Sequence, residues 1–241
     1  MKKHLVLAAM ESEFAELVVQ EGFTSRELKN ASITLWEKSN RQNSIALAKT
    51  GVGPINAAIT LTQILADSAY DDILMLGLGG GLDIELAVGD IVIAERVVQH
   101  DALCTFEDRT EIMACGELHL SLSPENRKSI FMPTSLELNK KFETQLRQKS
   151  FRVFRGDLLS GSEFVGSLAR KNLLKTRIPS AKMVDMEACS IAYICQKQGL
   201  PFAIVKTVAD TVQAQATDQY TDFLKSNSLK CAELVSYLEE F

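Results

Sequence analysis

Apolar residues along this chain gather in short, nearly unbroken runs, separated by stretches where they return every three or four positions. His4–Ala9 (HLVLAA), Asp72–Leu76 (DILML), Ile91–Val98 and Pro201–Val208 (PFAIVKTV) are the clearest runs. A strand covered on both faces has no polar side to alternate with, so such runs predict buried strands. Ser32–Trp36, Ser44–Lys49, Val153–Leu159 and the short Met183–Met186 extend the set. Helical spacing marks Phe14, Leu17 and Val18, and then Ile55–Ser68, Leu136–Gln148, Ala188–Lys197 and Tyr220–Leu238. Thr50-Gly51-Val52-Gly53-Pro54 is a tight turn, and Gly77-Leu78-Gly79-Gly80-Gly81 a glycine-rich one. Thr105–Pro133 has weak periodicity and is expected to be a long excursion.

Alternating strands and helices predict an α/β sheet with helices on both faces. No repeat, low-complexity tract or linker interrupts it, so residues 1–241 read as a single domain. With 46% hydrophobic and 24% charged residues, the chain has apolar mass for a full core. A net charge of -5 and the lack of a dense Lys/Arg cluster argue against nucleic acid or an anionic membrane as partner. The 5 cysteines show no metal-ligand spacing and read as core thiols of a reducing compartment. His4, His100 and His119 are scattered, so no zinc or other metal is expected, and no cofactor. The apolar run after Lys3 meets Glu11 and Glu13 at once, unlike a signal peptide. No run nears the roughly 20 residues of a membrane span, and a cytoplasmic location is expected.

Ligand sites of open α/β sheets gather at the carboxyl ends of strands. Three acids stand there: Glu13 after the first strand, Glu187 in Val184-Asp185-Met186-Glu187-Ala188, and Asp210 after Val205–Ala209. Desolvating a carboxylate costs several kcal/mol, so acids in apolar settings are usually paired or functional. Each alone reads more readily as a helix cap or a surface acid; three together, at strand ends on one side of a sheet, would converge on one pocket and favour function. The glycine-rich run lets backbone approach a ligand. It is no Walker loop, because no Lys-Ser/Thr pair follows. It is no dinucleotide fingerprint either, because Asp90 precedes its strand instead of ending one. Phe164, in Ser160-Gly161-Ser162-Glu163-Phe164-Val165, is either a core aromatic under a turn or a stacking platform for a flat heterocycle.

Taken in order, AAMESE, KTGVGPINAA, GLGGGLDIELAVGDIVIAE, QHDA, SGSEFV, VDMEACSIA, FAIVKTVAD and YTDFL give a recognisable series. With them the chain resembles, nearly end to end, the hydrolase branch of the nucleoside phosphorylase family, the methylthioadenosine/S-adenosylhomocysteine nucleosidases above all. Asp108–Pro133 does not match it. The resemblance implies a three-layer α/β/α fold around a twisted, mixed central sheet. It implies a purine nucleoside as the ligand and a homodimer whose second subunit helps to close the 5′ pocket. In that reading Glu13 activates the attacking water and Asp210 is the acid at purine N7. Glu187 and the Met186 backbone grip the ribose hydroxyls, while Phe164 stacks on the base and the Val165 backbone bonds its edge. Val52 and Tyr220 border the 5′ pocket, Gly79 lets the backbone come close, and Lys206 keeps a cation where many members have Arg.

The residue types suit the chemistry independently. Breaking an N-glycosidic bond needs an acid at the purine and negative charge near the electron-poor sugar. Asp210 must then hold a proton while Glu13 is ionised, which different burial of the two could arrange. Phosphorylases of this fold need phosphate-binding arginines, and none stands beside Met10–Glu13 or Gly77–Leu82, which favours hydrolysis over phosphorolysis. Leu78 and Ala209, where the family often has hydroxyl residues, and Tyr220, where Phe is frequent, leave the substrate open. A futalosine-type hydrolase and an inactive nucleoside-binding relative are the other readings.

Overall fold

The computed structural model describes residues 1–212 apart from 21, 30 and 119–122; the expected C-terminal helix and Tyr220 lie outside the described residues. The chain runs through β1 (Lys2–Ala8), α1 (Ala15–Gln20), β2 (Thr24–Glu27), β3 (Thr34–Ser39), β4 (Asn43–Lys49) and α2 (Pro54–Asp67). It continues through β5 (Asp72–Met75), β6 (Leu78–Gly81), β7 (Ile91–Gln99), β8 (Leu103–Thr105), β9 (Thr110–Ile112) and β10 (Phe131–Pro133). Then come α3 (Leu136–Gln148), β11 (Val153–Ser160), α4 (Leu168–Arg177), β12 (Ala181–Asp185), α5 (Ala188–Gln198) and β13 (Phe202–Asp210).

Among the described residues, eleven strands form one sheet in the order β10-β7-β11-β12-β6-β13-β5-β1-β4-β3-β2. It is mixed: β1 lies parallel to β4 and β5, whereas β12 lies antiparallel to β6. A further antiparallel pairing of β7 with β13 closes β7, β11, β12, β6 and β13 into a ring. The remaining strands extend from that ring as an open sheet.

The apolar runs sort their side chains to both faces, with the period of two that a pleated strand imposes. In β1, Leu5 and Leu7 join one core cluster, Val6 and Ala8 the other. β13 divides in the same way, Phe202 and Ile204 against Ala203 and Val205. α2 and α5 cover the first face through Ala57, Leu61, Ile64, Ile191 and Cys195. α1 and α3 cover the second through Leu17, Leu138, Phe142 and Leu146. The result is helix, sheet, helix, as expected.

Four features depart from the sequence reading. The glycine-rich run is not all loop: Leu78–Gly81 is β6, held between β12 and β13. The excursion folds as the β8–β9 hairpin, a 3-10 turn at Pro124–Asn126, and β10, which pairs antiparallel with β7. β2 is a polar edge strand with no buried residue, so no apolar run announced it. α4 buries only Lys171 and Leu174, too few apolar positions to make a visible stripe.

β6 is what gathers the strand ends. Its Gly80 lies opposite Val184 of β12 on one side and opposite Asp210 of β13 on the other. The residues that follow β12 and those that end β13 therefore meet around it.

Candidate active site

One cleft of about 620 Å³, open to solvent, is lined by Glu13, Val52, Gly79, Phe164, Val165, Met186, Glu187 and Asp210. All eight were expected at the site. Ala9, Met10, Leu78, Gly80, Glu163, Val184 and Asp185 complete the lining. No arginine lines it among the described residues. Lys206 was expected to bind substrate, but it does not line the cleft. It is 1% exposed and sits beneath the floor, ion-paired to Asp185 and Glu187. Its stretch of β13 is buried on both faces, so its side chain has only the core to enter.

Glu13 ends a 3-10 turn, Glu11–Glu13, that follows β1. Its carboxylate accepts hydrogen bonds from the backbone N–H of Met10 (2.8 Å, Oε2) and of Leu78 (3.1 Å, Oε1). Leu78 thus serves through its backbone where a hydroxyl side chain was missed. Gly77 makes the approach possible. Its φ of 134° is one that side chains resist, and an added Cβ would lie 2.6 Å from Glu13 Oε1. Burial raises the Glu13 pKa, opposed first by the charge of Lys206 and then by the backbone donors.

Glu187 stands at the N-cap position of α5. Its Oε1 accepts from the Gly53 N–H at 2.9 Å, which ties the Thr50–Pro54 turn to the cleft, and its Oε2 lies 3.6 Å from Lys206 Nζ. Asp185, a buried acid that the sequence did not single out, lies 2.9 Å from the same ammonium and accepts from the Ala188 N–H. Burial raises the Glu187 pKa; Lys206 opposes that, and the nearby acids Asp185 and Glu13 reinforce it. Desolvation should lower the Lys206 pKa, yet the three acids together drive it upward. A group of this kind keeps its proton at any ordinary pH.

Asp210 ends β13 with 4% exposure. Its Oδ2 accepts from Nζ of Lys171, a second buried lysine, carried by α4. Burial raises the Asp210 pKa and Lys171 opposes that rise. Glu13 is also 4% exposed, so different burial does not separate the two acids as expected. Their partners among the described residues differ instead: backbone donors and a shared cation for Glu13, a cation of its own for Asp210.

One wall of the cleft is the loop after β11. Ser162 N–H donates to Asp101 at 2.6 Å, Gly161 N–H to the Asp185 carbonyl at 3.2 Å, and Arg170 forks onto Glu163. The loop so pinned presents Phe164, 56% exposed, over the cleft. That excludes the core-aromatic reading of this residue. Val165 beside it is buried.

Lys171 and Asp185 escaped sequence reasoning. Lys171 sits in Arg170-Lys171-Asn172, which looks like a solvated helix face. The signal available was spacing: Lys171, Leu174 and Ile178 stand at i, i+3 and i+7, and the latter two are core residues. Among the described residues, no cluster of His, Cys, Asp and Glu is arranged to hold a metal ion. Cys104, Cys115, Cys189 and Cys195 are free thiols.

Comparison with known proteins places the chain in a family. A 5'-methylthioadenosine/S-adenosylhomocysteine nucleosidase of Staphylococcus haemolyticus is 28% identical over 234 residues, covering 97% of both chains. The structure of a Helicobacter pylori nucleosidase of the same name, bound to butyl-thio-DADMe-Immucillin-A, superposes with a TM-score of 0.83 at 24% identity, covering 100% of this chain and 98% of that one. The native futalosine hydrolase of Helicobacter pylori gives the same TM-score and identity, covering 99% of this chain and 97% of that one. The fold is thus nucleoside phosphorylase-like. The family model of the Phosphorylase superfamily matches residues 3–239, and the chain belongs to that superfamily.

Proposed function

We propose that the protein is a purine-nucleoside hydrolase that cleaves the ribosyl–base bond of 5′-methylthioadenosine and S-adenosylhomocysteine, releasing adenine. The observation that carries this reading is the convergence of Glu13, Glu187 and Asp210 on one cleft. The curated relative of that activity, similar over almost its whole length, supports the substrate class.

Each residue has a task that follows from its setting. Asp210 donates a proton to purine N7 as the C1′–N9 bond breaks, so the electron pair leaves on a neutral base. The sugar is left electron-poor. Glu13, Asp185 and Glu187 surround it with three carboxylates against the one ammonium of Lys206, an excess of negative charge at the floor of the cleft. Glu13, its carboxylate oriented by two backbone donors, takes the proton of the water that attacks C1′. Glu187 accepts hydrogen bonds from the ribose hydroxyls, and Phe164 stacks on the purine. That no arginine lines the cleft among the described residues supports water over phosphate as the nucleophile. Val52 and Phe164 are both about half exposed at the cleft mouth, and Ile55 and Ile59 on α2 are exposed as well. This apolar rim supports a second copy of the chain as its cover.

Incubation with methylthioadenosine in phosphate-free buffer, followed by chromatography of the released base, tests the reading. Adenine is expected. Release of hypoxanthine from futalosine but no adenine from methylthioadenosine would move the protein to the sister hydrolases. Release only after phosphate is added would make it a phosphorylase, and no release from any nucleoside a binding protein.

A further inference from the structure

We propose that Lys171 is a positioning residue of the leaving-group site: held behind Asp210, its ammonium fixes that carboxyl group and strengthens it as the acid that protonates the departing purine. This rests on the reading of Asp210 given above.

Lys171 is 1% exposed and does not line the cleft. Its helical position faces the core beside Leu174 and Ile178, where a leucine or methionine would pack without the cost of a buried charge. Replacing buried ion pairs by apolar residues is often neutral or stabilising, so stability gives little reason for a lysine here. Its Nζ reaches Asp210 Oδ2 and the Thr211 carbonyl, the latter at 3.2 Å. The other oxygen, Oδ1, lies on the side of Gly80, 3.0 Å from where a Cβ on that glycine would stand, and Gly80 lines the cleft. The ammonium therefore takes the rear oxygen and leaves the front one for the base.

The consequence lies in what becomes of Asp210 after it has acted. As the C1′–N9 pair moves onto the purine, the proton passes from Asp210 to N7 and a carboxylate remains in a buried site. Unpaired, that charge would be costly and would hold the proton back. Lys171 stabilises the carboxylate, so the transfer is easier. The proton of the attacking water goes to Glu13, and Lys171 keeps its own protons throughout. The other charged groups around the cleft (Glu13, Asp185, Glu187, Lys206 and, at the rim, Glu163) are the same with or without Lys171.

The test is a double-mutant cycle in turnover of methylthioadenosine with K171M and D210N. K171M is expected to lower kcat by about 10²-fold with KM nearly unchanged, in the range expected for general-acid effects. In the D210N background the same substitution should cost less than about 3-fold, because the group it acts through is gone. Equal losses in both backgrounds, or no loss in either, would overturn the proposal. The alkaline limb of the K171M profile should also move to higher pH, since the cation that favours the Asp210 carboxylate is removed; an unmoved limb counts against it. K171R, which keeps the charge, should recover part of kcat and serves if K171M fails to fold; an arginine variant no better than K171M overturns the proposal. Wild-type turnover is the control: its absence would sink the nucleosidase reading itself, whereas turnover indifferent to Lys171 would sink only this one.

Discussion

Around Lys206, three acids from two parts of the chain share one ammonium, whereas among the described residues Asp210 has Lys171 to itself. Both clusters are buried and use the same residue types, yet their charge balances differ. The Lys206 cluster has two more carboxylates than cations; the Lys171 pair is balanced. The difference matches the two halves of a glycosidic cleavage. Positive charge grows on the sugar, where excess negative charge helps. On the base side, in the proposed mechanism, the proton from Asp210 neutralises the departing electron pair, and one cation balances the carboxylate left behind. Preorganised charge of this kind needs no rearrangement at the moment of reaction.

Breaking each side separately shows what each contributes. The largest effect is expected from E13Q, which keeps the shape of the side chain and removes the base: kcat should fall by about 10³-fold, roughly 4 kcal/mol of barrier, with ligand affinity retained. Isothermal titration with a nucleoside analogue alongside turnover would check this, and a loss of affinity to match the loss of rate would refute the assignment. Next, K206M leaves three buried acids without their cation and should cost about 3 kcal/mol of stability at neutral pH in urea unfolding. That cost should shrink as pH falls and the carboxylates take up protons. A variant as stable as wild type would mean the cluster is less tightly coupled than its geometry implies.

Gly77→Ala tests the sugar side through the backbone. A φ of 134° and a Cβ 2.6 Å from Glu13 Oε1 leave it no unstrained solution. A loss of about 2 kcal/mol in stability is expected, with kcat falling as Glu13 is pushed aside. The pH profile gives a subtler reading. Burial raises the Glu13 pKa, and in the proposed mechanism Glu13 acts only when ionised. The acid limb of kcat/KM should therefore lie above the ordinary carboxylate value, with activity lost as pH falls through it. The stability linkage has the opposite sign. The ionised, raised-pKa group disfavours the fold at neutral pH, and that penalty is relieved as pH falls through the folded-state value toward the unfolded one. E13Q should accordingly melt slightly higher than wild type at pH 7, and the gain should fade in acid. The smallest effect belongs to the base-side rim. R170A frees Glu163 and the Phe164 loop and should raise KM about 2- to 3-fold while leaving kcat alone, the scale of a partly exposed ion pair.

How far the sequence could be read varies from residue to residue. Glu13, Glu187 and Asp210 were legible because each follows an apolar run, where an acid is out of place; strand ends of an α/β sheet then put them together. Phe164 was legible as an aromatic in a loop of small residues. Lys171 and Asp185 were not. A lysine among arginines on a helix and an aspartate that ends a strand are ordinary in a sequence, and only packing shows that both side chains point inward. Lys206 was noticed as a cation but assigned to the ligand, because a sequence gives no depth. The structure places it beneath the floor, where it binds the acids that face the cleft.

The sequence by itself determined the alternation of strands and helices, the two-faced burial of β1, β5, β7 and β13, and the acids that end or follow strands. These follow from local periodicity and from the cost of a carboxylate in an apolar setting, which are properties of short segments. Only the tertiary structure decided that β7 pairs with β13 to close a ring, that the glycine-rich run becomes β6 between β12 and β13, and which acid receives which lysine. Those depend on contacts between residues far apart in the chain: Lys171 and Asp210 are separated by 39 positions, Glu13 and Leu78 by 65. Charge compensation over such separations is decided by packing, which no local pattern encodes.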